Sequence, residues 1–189
     1  MTRQPAFCTY ILLPAFLFLL GSFISADKLV RRPMGDRATM LIPESFTLMS
    51  DDEMALKFPS SRKPVCIYTN PAKTVDISLN VNITPWGDDD LQILADFQKS
   101  NIKQMYNKVT FTKEEVTKIN KRKFAVFEFT SQSEEPGSGK PVIRKYTYIE
   151  YTVMKGKVMV IHLDAPAGEA PLWRETAKKI MNSVKITGA

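Results

Sequence analysis

The segment from residue 109 to residue 164 constrains the fold most, because it consists of four strand-like runs separated by turn signals. The runs are rich in β-branched and aromatic residues and cover Val109–Ile119, Lys123–Thr130, Ile143–Met154 and Lys157–Asp164. The dipeptides Asn120-Lys121 and Lys155-Gly156 predict two β-hairpins, and therefore an antiparallel sheet. Phe124–Phe129 and Val158–Leu163 are apolar on both faces, which predicts central strands that are covered on both sides.

Three further strands are predicted upstream. Val75–Ile83 alternates apolar and polar residues without interruption, as a half-buried strand does, and Asn70-Pro71 provides a turn to a partner strand at Val65–Thr69. Ala38–Ile42 is apolar and is followed by Pro43, which favours a strand at a sheet edge.

Three helices complete the predicted fold. Ser50 and Glu53 have the spacing of a capping box, so a helix of about two turns is expected up to Phe58. Asp88–Asp90 precedes a helical apolar pattern; clustered carboxylates can bind metals, but acidic residues at this place are typical of a helix start. Ala170–Val184 is amphipathic. The chain is thus predicted to be α+β, with one domain over residues 37–189.

Residues 1–26 have the pattern of a secretory signal peptide. Arg3 precedes the apolar stretch Tyr10–Ile24, and the small residue Ala26 precedes Asp27, which predicts cleavage between Ala26 and Asp27. The apolar stretch is shorter than the roughly 20 residues of a membrane-spanning helix, although an uncleaved signal anchor is the alternative. A periplasmic or secreted protein is therefore expected, with residues 27–36 as a flexible lead-in.

The cysteines and the distribution of charge limit which disulfides and which partners are expected. Cleavage removes Cys8 and leaves Cys66 alone, so no disulfide is expected within the mature chain. Residues 27–189 carry 25 basic and 20 acidic side chains, interspersed along the sequence, whereas nucleic-acid binding requires a basic stripe. We expect an envelope or secreted protein as partner, no nucleic acid, and membrane contact only through an uncleaved signal segment.

Few residues are candidates for chemistry or recognition. His162 is the only histidine, so neither a zinc site nor a cofactor is expected, although a pairing with Cys66 or a carboxylate stays open. The predicted strand at 143–154 places aromatic residues on both faces. Tyr146, Tyr148 and Tyr151, together with Trp86, are candidates for a ligand or partner surface, with packing beneath a helix as the alternative. Asn82-Ile83-Thr84 is a glycosylation sequon that matters only in a eukaryotic secretory pathway.

Several local phrases resemble the PsbP-like fold group, which includes the extrinsic photosystem II protein and bacterial DcrB-type exported proteins. The resemblance covers residues 38–186. It rests on five features, which are Ile42–Phe46 before a short helix ending near Phe58-Pro59, the pair Val65–Thr69 and Val75–Ile83, the long helix after Asp88, Ile119–Phe129, and Trp173–Ile186 at the close. It implies an α/β/α sandwich, with an antiparallel sheet of about six strands and helices packed on its faces. It also implies an adaptor or scaffold role and transfers no catalytic residue. Lipid anchoring as in DcrB-type lipoproteins is not implied, because Asp27 follows Ala26.

Three functions are therefore weighed. The first is a non-enzymatic extracytoplasmic interaction or adaptor domain. The alternative is a carrier that holds a small apolar or amphiphilic ligand between the sheet and a helix, favoured by the abundance of Phe and Met. The third is a hydrolase that uses His162, which requires a solvent-reachable pocket containing Cys66 or a carboxylate.

Overall fold

Two antiparallel β-sheets and three α-helices make up the computed structural model, which describes residues 27–59, 63–134 and 141–186. The strands are β1 (Leu29–Met34), β2 (Ala38–Pro43), β3 (Thr47–Leu48), β4 (Cys66–Thr69), β5 (Asp76–Ile83), β6 (Lys108–Ile119), β7 (Arg122–Ser133), β8 (Ile143–Met154), β9 (Lys157–Pro166) and β10 (Lys185–Ile186). The helices are α1 (Asp51–Lys57), α2 (Leu91–Met105) and α3 (Ala170–Met181). Strand order is β3-β4-β5-β9-β8-β7-β6 in the larger sheet and β1-β2-β10 in the smaller one. The predicted α+β class is confirmed.

Both predicted hairpins are present in the larger sheet. Asn120 and Lys121 have φ values of 45° and 76°, and Lys155 and Gly156 have 51° and 71°. Positive φ at both central residues is the geometry of type I′ turns, whose twist matches that of the flanking strands. The local turn chemistry therefore aligns β6 with β7 and β8 with β9.

The larger sheet is covered on both faces. On one, called the α3 face, α3 and the smaller sheet bury side chains such as Leu79, Ile161 and Tyr146. On the other, called the α2 face, α2 packs over β6, β7 and β8, and α1 packs through Met54 on Ile67 of β4. The core is therefore two apolar layers that share the central strands.

A side-chain cap is present at the start of α1 but not at the start of α2. The Glu53 amide donates to Ser50 Oγ over 3.2 Å and the Ser50 amide donates to Glu53 Oε2 over 2.9 Å, which confirms the predicted capping box of α1. At α2, Asp90 accepts a hydrogen bond from the Gly87 amide over 2.8 Å and fixes the turn before the helix. The acidic run 88–90 thus lies at a helix start, as expected.

The N-terminal part differs from the sequence prediction. Residues 27–36 were expected to be a flexible lead-in, but residues 29–34 form β1 and pair with β2 from Leu29↔Pro43 to Met34↔Ala38. The strand predicted at a sheet edge is the middle strand of the smaller sheet. The prediction fails because the residues of β1 do not alternate between apolar and polar. Only Met34, at the end of the strand, is buried.

The larger sheet ends in two unlike edge strands. β3 has two residues, whereas β6 has twelve and carries charged residues along its length. The register of β6 against β7 shifts between Phe111 and Lys113, which places a bulge at Thr112.

No helix within the described ranges is both long and apolar enough to cross a bilayer. The predicted signal peptide, residues 1–26, lies outside the described residues.

Candidate functional site

A polar groove opens on the α2 face between α1 and α2. Its floor consists of alternate side chains of the neighbouring strands β5 and β9, where Ser78 lies opposite His162 and Asp76 opposite Asp164. The groove has a volume of about 470 Å³ and is lined by Lys57, Phe58, Pro64, Ile67, Asp76, Ser78, Asn80, Lys145, His162 and Asp164. It exists because α2 covers β6 to β8 and α1 covers β4, so the polar faces of β5 and β9 lie between them.

Charged side chains in the groove are arranged in pairs. Asp164 receives a hydrogen bond from Thr147 Oγ1 over 2.6 Å, and His162 Nε2 lies 3.3 Å from Asp164 Oδ1. Lys145 Nζ is 3.7 Å from Asp164 Oδ2, and Lys57 pairs with Asp76 Oδ2. The second carboxylate oxygen of Asp76 is buried without a hydrogen-bond partner among the described residues. An unsatisfied buried acceptor costs free energy, so this oxygen is a destabilising feature of the groove floor.

The two central groups shift each other's protonation. Burial on its own opposes the charge of His162, but the neighbouring Asp164 outweighs it and raises the pKa of the imidazole. Burial would likewise raise the pKa of the Asp164 carboxyl, but His162, Lys145 and Thr147 together hold it well below its usual range. The pair therefore favours an imidazolium next to a carboxylate.

Cys66 and His162 do not form a dyad. Cys66 pairs with Leu79 in the ladder between β4 and β5, and its side chain lies in the core of the α3 face, with Sγ 3.9 Å from Met34 Sδ. His162 points to the opposite face of the sheet. Burial raises the pKa of the Cys66 thiol to about 11, so the thiolate is scarce at neutral pH.

Ser78, His162 and Asp164 are neighbours on the groove floor, where Ser78 lies opposite His162 in the β5–β9 ladder. No hydrogen bond joins Ser78 to His162 in the part of the chain described. β5 is paired with both β4 and β9, and β9 with both β5 and β8, so the amides around them belong to the sheet ladder. An oxyanion needs free N–H donors, which a paired central strand does not offer.

The aromatic surface predicted from the sequence is buried, and this prediction is corrected. Tyr146, Tyr148 and Tyr151 are almost wholly buried, and Trp86 is half-buried against Phe97, with ring centroids 6.0 Å apart. Tyr146 and Tyr148 lie beneath α3 and the smaller sheet, and Tyr151 lies beneath α2. β8 is central and covered on both faces, which is the packing alternative considered for these tyrosines.

A second titratable cluster is enclosed under α3. Tyr146 Oη donates to Glu128 Oε1 over 3.0 Å, and Arg174 Nε donates to the same oxygen over 3.2 Å. Glu150 lies on the same face of the sheet, is fully buried, and has no partner for either carboxylate oxygen among the described residues. Burial raises the pKa of Glu150 well above its ordinary value, with Lys113 acting weakly in the other direction.

Apart from His162, the polar members of the groove were not identified as a site from the sequence. The signal available was the polar face of β5, with Asp76, Ser78 and Asn80. β9 was interpreted as apolar on both faces, whereas Val160, His162 and Asp164 on one face are only partly buried. The groove is recognised from the pairing of β9 with β5 and not from the residue pattern of β9 itself.

Two other features bear on ligands. Within the described residues, no group of three His, Cys, Asp or Glu side chains is placed to hold a metal ion. A separate, mainly apolar cavity of about 180 Å³ is lined in part by Met34, Leu79, Met154 and Met159. This volume is below the range typical of small-molecule pockets, about 300–1,000 Å³.

Comparison with known proteins identifies the fold. No protein-family model and no curated protein sequence matches the chain. Among solved structures, cyanobacterial PsbP (CyanoP) from Synechocystis sp. PCC 6803 is similar, with a TM-score of 0.55, 12% identity, and coverage of 88% of this chain and 98% of that one. The Ran-binding protein Mog1p of Saccharomyces cerevisiae is similar with a TM-score of 0.56 and 10% identity, and the match covers 85% of this chain and 96% of that one. LpqN of Mycobacterium tuberculosis, which is involved in cell envelope biogenesis, is similar with a TM-score of 0.51 and 14% identity. The match covers 85% of this chain and 91% of that one.

Proposed function

We propose that this chain, which has the PsbP-like fold, is a non-enzymatic extracytoplasmic interaction domain that binds its partner in the polar groove. The observation that carries the proposal is the groove of about 470 Å³, whose floor presents the polar side chains of Asp76, Ser78 and Asn80. A polar segment of a partner can form hydrogen bonds with these side chains.

The chemistry of the groove favours binding over catalysis. Its basic groups are engaged with carboxylates, and its floor is a flat pair of central strands whose amides are used by the sheet. Such a surface can offer the Asn80 amide, the Ser78 hydroxyl and the Asp76 carboxylate to a polar segment of another protein. The structural neighbours support an interaction role, since one is a Ran-binding protein and another is involved in envelope biogenesis.

Site-specific photo-crosslinking in cells tests the proposal. A benzophenone amino acid at position 80, in the groove, is expected to give a discrete adduct with one envelope or secreted protein. The same amino acid at position 104, where Gln104 is exposed on α2, serves as the matched control. Ser78→Tyr, which fills the groove, is expected to abolish the adduct. Adducts of equal yield from both positions, or from neither, would contradict a groove partner.

A hydrolase using His162 is the second candidate, because Ser78, His162 and Asp164 are adjacent in the groove. Both carboxylates of the groove are paired with basic side chains, and the amides of its floor are used by the sheet. Both observations favour binding, so no turnover is expected with a panel of small esters. Turnover that is lost in Ser78→Ala and in His162→Gln, with both variants folded, would establish an enzyme and overturn the proposal.

A further inference from the structure

Basic side chains from four separate segments meet at one end of the larger sheet. This set, called the basic end, comprises Arg37, Lys118, Lys121, Arg122, Lys123, Lys155, Lys157 and Lys185. In the sequence these residues are dispersed, and acidic residues lie between the segments. The topology gathers them because the β6–β7, β8–β9 and β1–β2 turns lie together.

Several contacts establish this convergence. Lys118 and Lys123 are opposite each other in the β6–β7 ladder, and Arg122 Nη1 donates to the Val153 carbonyl oxygen near the β8–β9 turn, over 3.1 Å. Arg37 and Lys157 line one small cavity. Lys185 lies in β10. The residues on either side of it in the chain, Val184 and Ile186, line another cavity together with Lys121 and Arg122.

The basic end is exposed and scarcely neutralised. All its members are exposed except Arg122, which is half-buried, and none forms an ion pair with an acidic residue of the described ranges. The acidic residues nearby are Asp36, Asp88 and Asp89. Like charges directly opposite in a sheet, as at Lys118 and Lys123, are destabilising, so this accumulation does not serve the fold.

An apolar side chain projects from the same end. Ile83 is 85% exposed, pairs with Lys157 across the β5–β9 ladder, and is followed by Thr84, whose amide donates to the Gly156 carbonyl oxygen over 3.0 Å. A bulky apolar residue bordered by lysines is typical of surfaces that lie on a bilayer, because the charges attract anionic headgroups while the apolar group enters the interface.

We propose that the basic end docks this domain on an anionic lipid bilayer. Lysines dominate the set and are unconstrained, which suits a diffuse anionic plane better than a single bound anion. Strand spacing of about 4.8 Å spreads the five strands from β5 to β6 over roughly 19 Å, so the charges face the plane together. His162 and Asp164 lie five and seven residues along β9 from Lys157, so the groove stays open to a protein partner.

Vesicle flotation of the exported protein tests this inference. Binding is expected to phosphatidylcholine vesicles that contain phosphatidylglycerol, to weaken from 0.1 to about 0.5 M salt, and to be absent with pure phosphatidylcholine. The variant K118Q/K121Q/K123Q is expected to bind about 100-fold more weakly, since each basic residue contributes about fivefold. The matched control K103Q/K108Q/R144Q loses the same charge from exposed residues away from this end and is expected to bind like the parent.

Ile83→Ser separates a bilayer from a soluble polyanion. It leaves the charge unchanged. Vesicle binding is expected to weaken about tenfold, because the variant loses an isoleucine side chain that would be about half buried in the bilayer interface. Retention on a cation-exchange resin should stay unchanged. Three results would overturn the inference, namely equal binding to neutral vesicles, equal losses in the two triple variants, or parent-like vesicle binding of Ile83→Ser.

Discussion

Glu150 has the environment least suited to a charged side chain among the residues described. Its carboxyl is buried on the α3 face and neither oxygen has a described partner. The folded state therefore keeps the proton to a higher pH than the unfolded chain does, because burial raises the pKa. Between those two pKa values the unfolded state releases a proton that the folded state retains, so stability falls as pH rises.

Glu150→Gln is expected to remove this pH dependence. The free-energy difference of unfolding between variant and parent should grow in favour of the variant by up to about 1.4 kcal/mol per pH unit above the unfolded pKa. Urea denaturation at pH 5, 6, 7 and 8 measures it, with exposed Glu175→Gln as control. A difference that is constant over this range would show that Glu150 does not titrate on unfolding.

His162 offers a direct measurement at the same scale, because it is the only histidine in the sequence. Its ring resonance in a tag-free protein is expected to titrate above the ordinary value of 6.5, since Asp164 outweighs burial. Asp164→Asn keeps the shape but removes the charge, so burial should then bring the pKa below 6.5. Asp76→Asn, a weaker contributor, is expected to lower the pKa less. A pKa unchanged in Asp164→Asn would exclude the pair.

The same pair has a defined window of stabilisation. The part due to His162 is complete below the pKa of the unfolded imidazole and is lost as pH rises through the raised folded value. The part due to Asp164 is present above its unfolded pKa and is lost as pH falls toward the lowered folded value.

At the scale of elements, the β6–β7 turn contains strain that one substitution can relieve. Lys121 has φ of 76°, where a residue with a Cβ is disfavoured, so Lys121→Gly is expected to stabilise the protein by about 0.5–1 kcal/mol. Asn120→Gly is expected not to stabilise, because Asn120 Nδ2 donates to the Val184 carbonyl oxygen over 2.7 Å. Thermal denaturation compares both with Lys118→Gly, which should destabilise the strand interior. Destabilisation by Lys121→Gly would contradict the turn geometry.

The strand β1 supplies the second prediction at this scale. Met34 has no exposed surface and lies in the core of the α3 face, so Met34→Ala is expected to cost about 2–5 kcal/mol of unfolding free energy. Lys28→Ala, at an exposed position just before β1, should change stability by less than about 0.5 kcal/mol. Chemical denaturation measures both variants. If these residues were a loose lead-in, both variants would have the same unfolding free energy as the parent.

Local signals explain which elements could be predicted from the sequence. The hairpins and the capping box depend on residues within a few positions of one another, and both were predicted correctly. β1 was missed because it is a strand only through its partner β2. For the aromatic residues of β8 the sequence leaves both a surface role and packing beneath a helix open, because alternation does not show what covers each face. The cover comes from α2, α3 and the smaller sheet.

At the scale of the whole molecule, the two proposed surfaces depend on chain order. The groove joins β5 to β9, which are more than 70 residues apart, and the basic end joins four segments. Neither has a sequence motif, because neighbouring positions in the sheet are distant in the chain.

Export is the prediction that concerns the complete chain. The exported protein is expected to begin at Asp27, because a small residue precedes it and the preceding apolar stretch is too short for a bilayer span. Intact-mass measurement of protein recovered from the envelope or medium checks this, and a mass that includes residues 1–26 would show a retained anchor.

The two edges of the larger sheet bear on how such a chain avoids aggregation. An open sheet exposes unpaired amides and carbonyls that can recruit further strands from other molecules. Here one edge, β3, is only two residues long, and the other, β6, carries lysines, glutamates and the bulge at Thr112. Each device discourages continuous strand addition from other molecules. Removing the bulge and the charges of β6 is expected to make this edge a site where strands of other molecules add to the sheet.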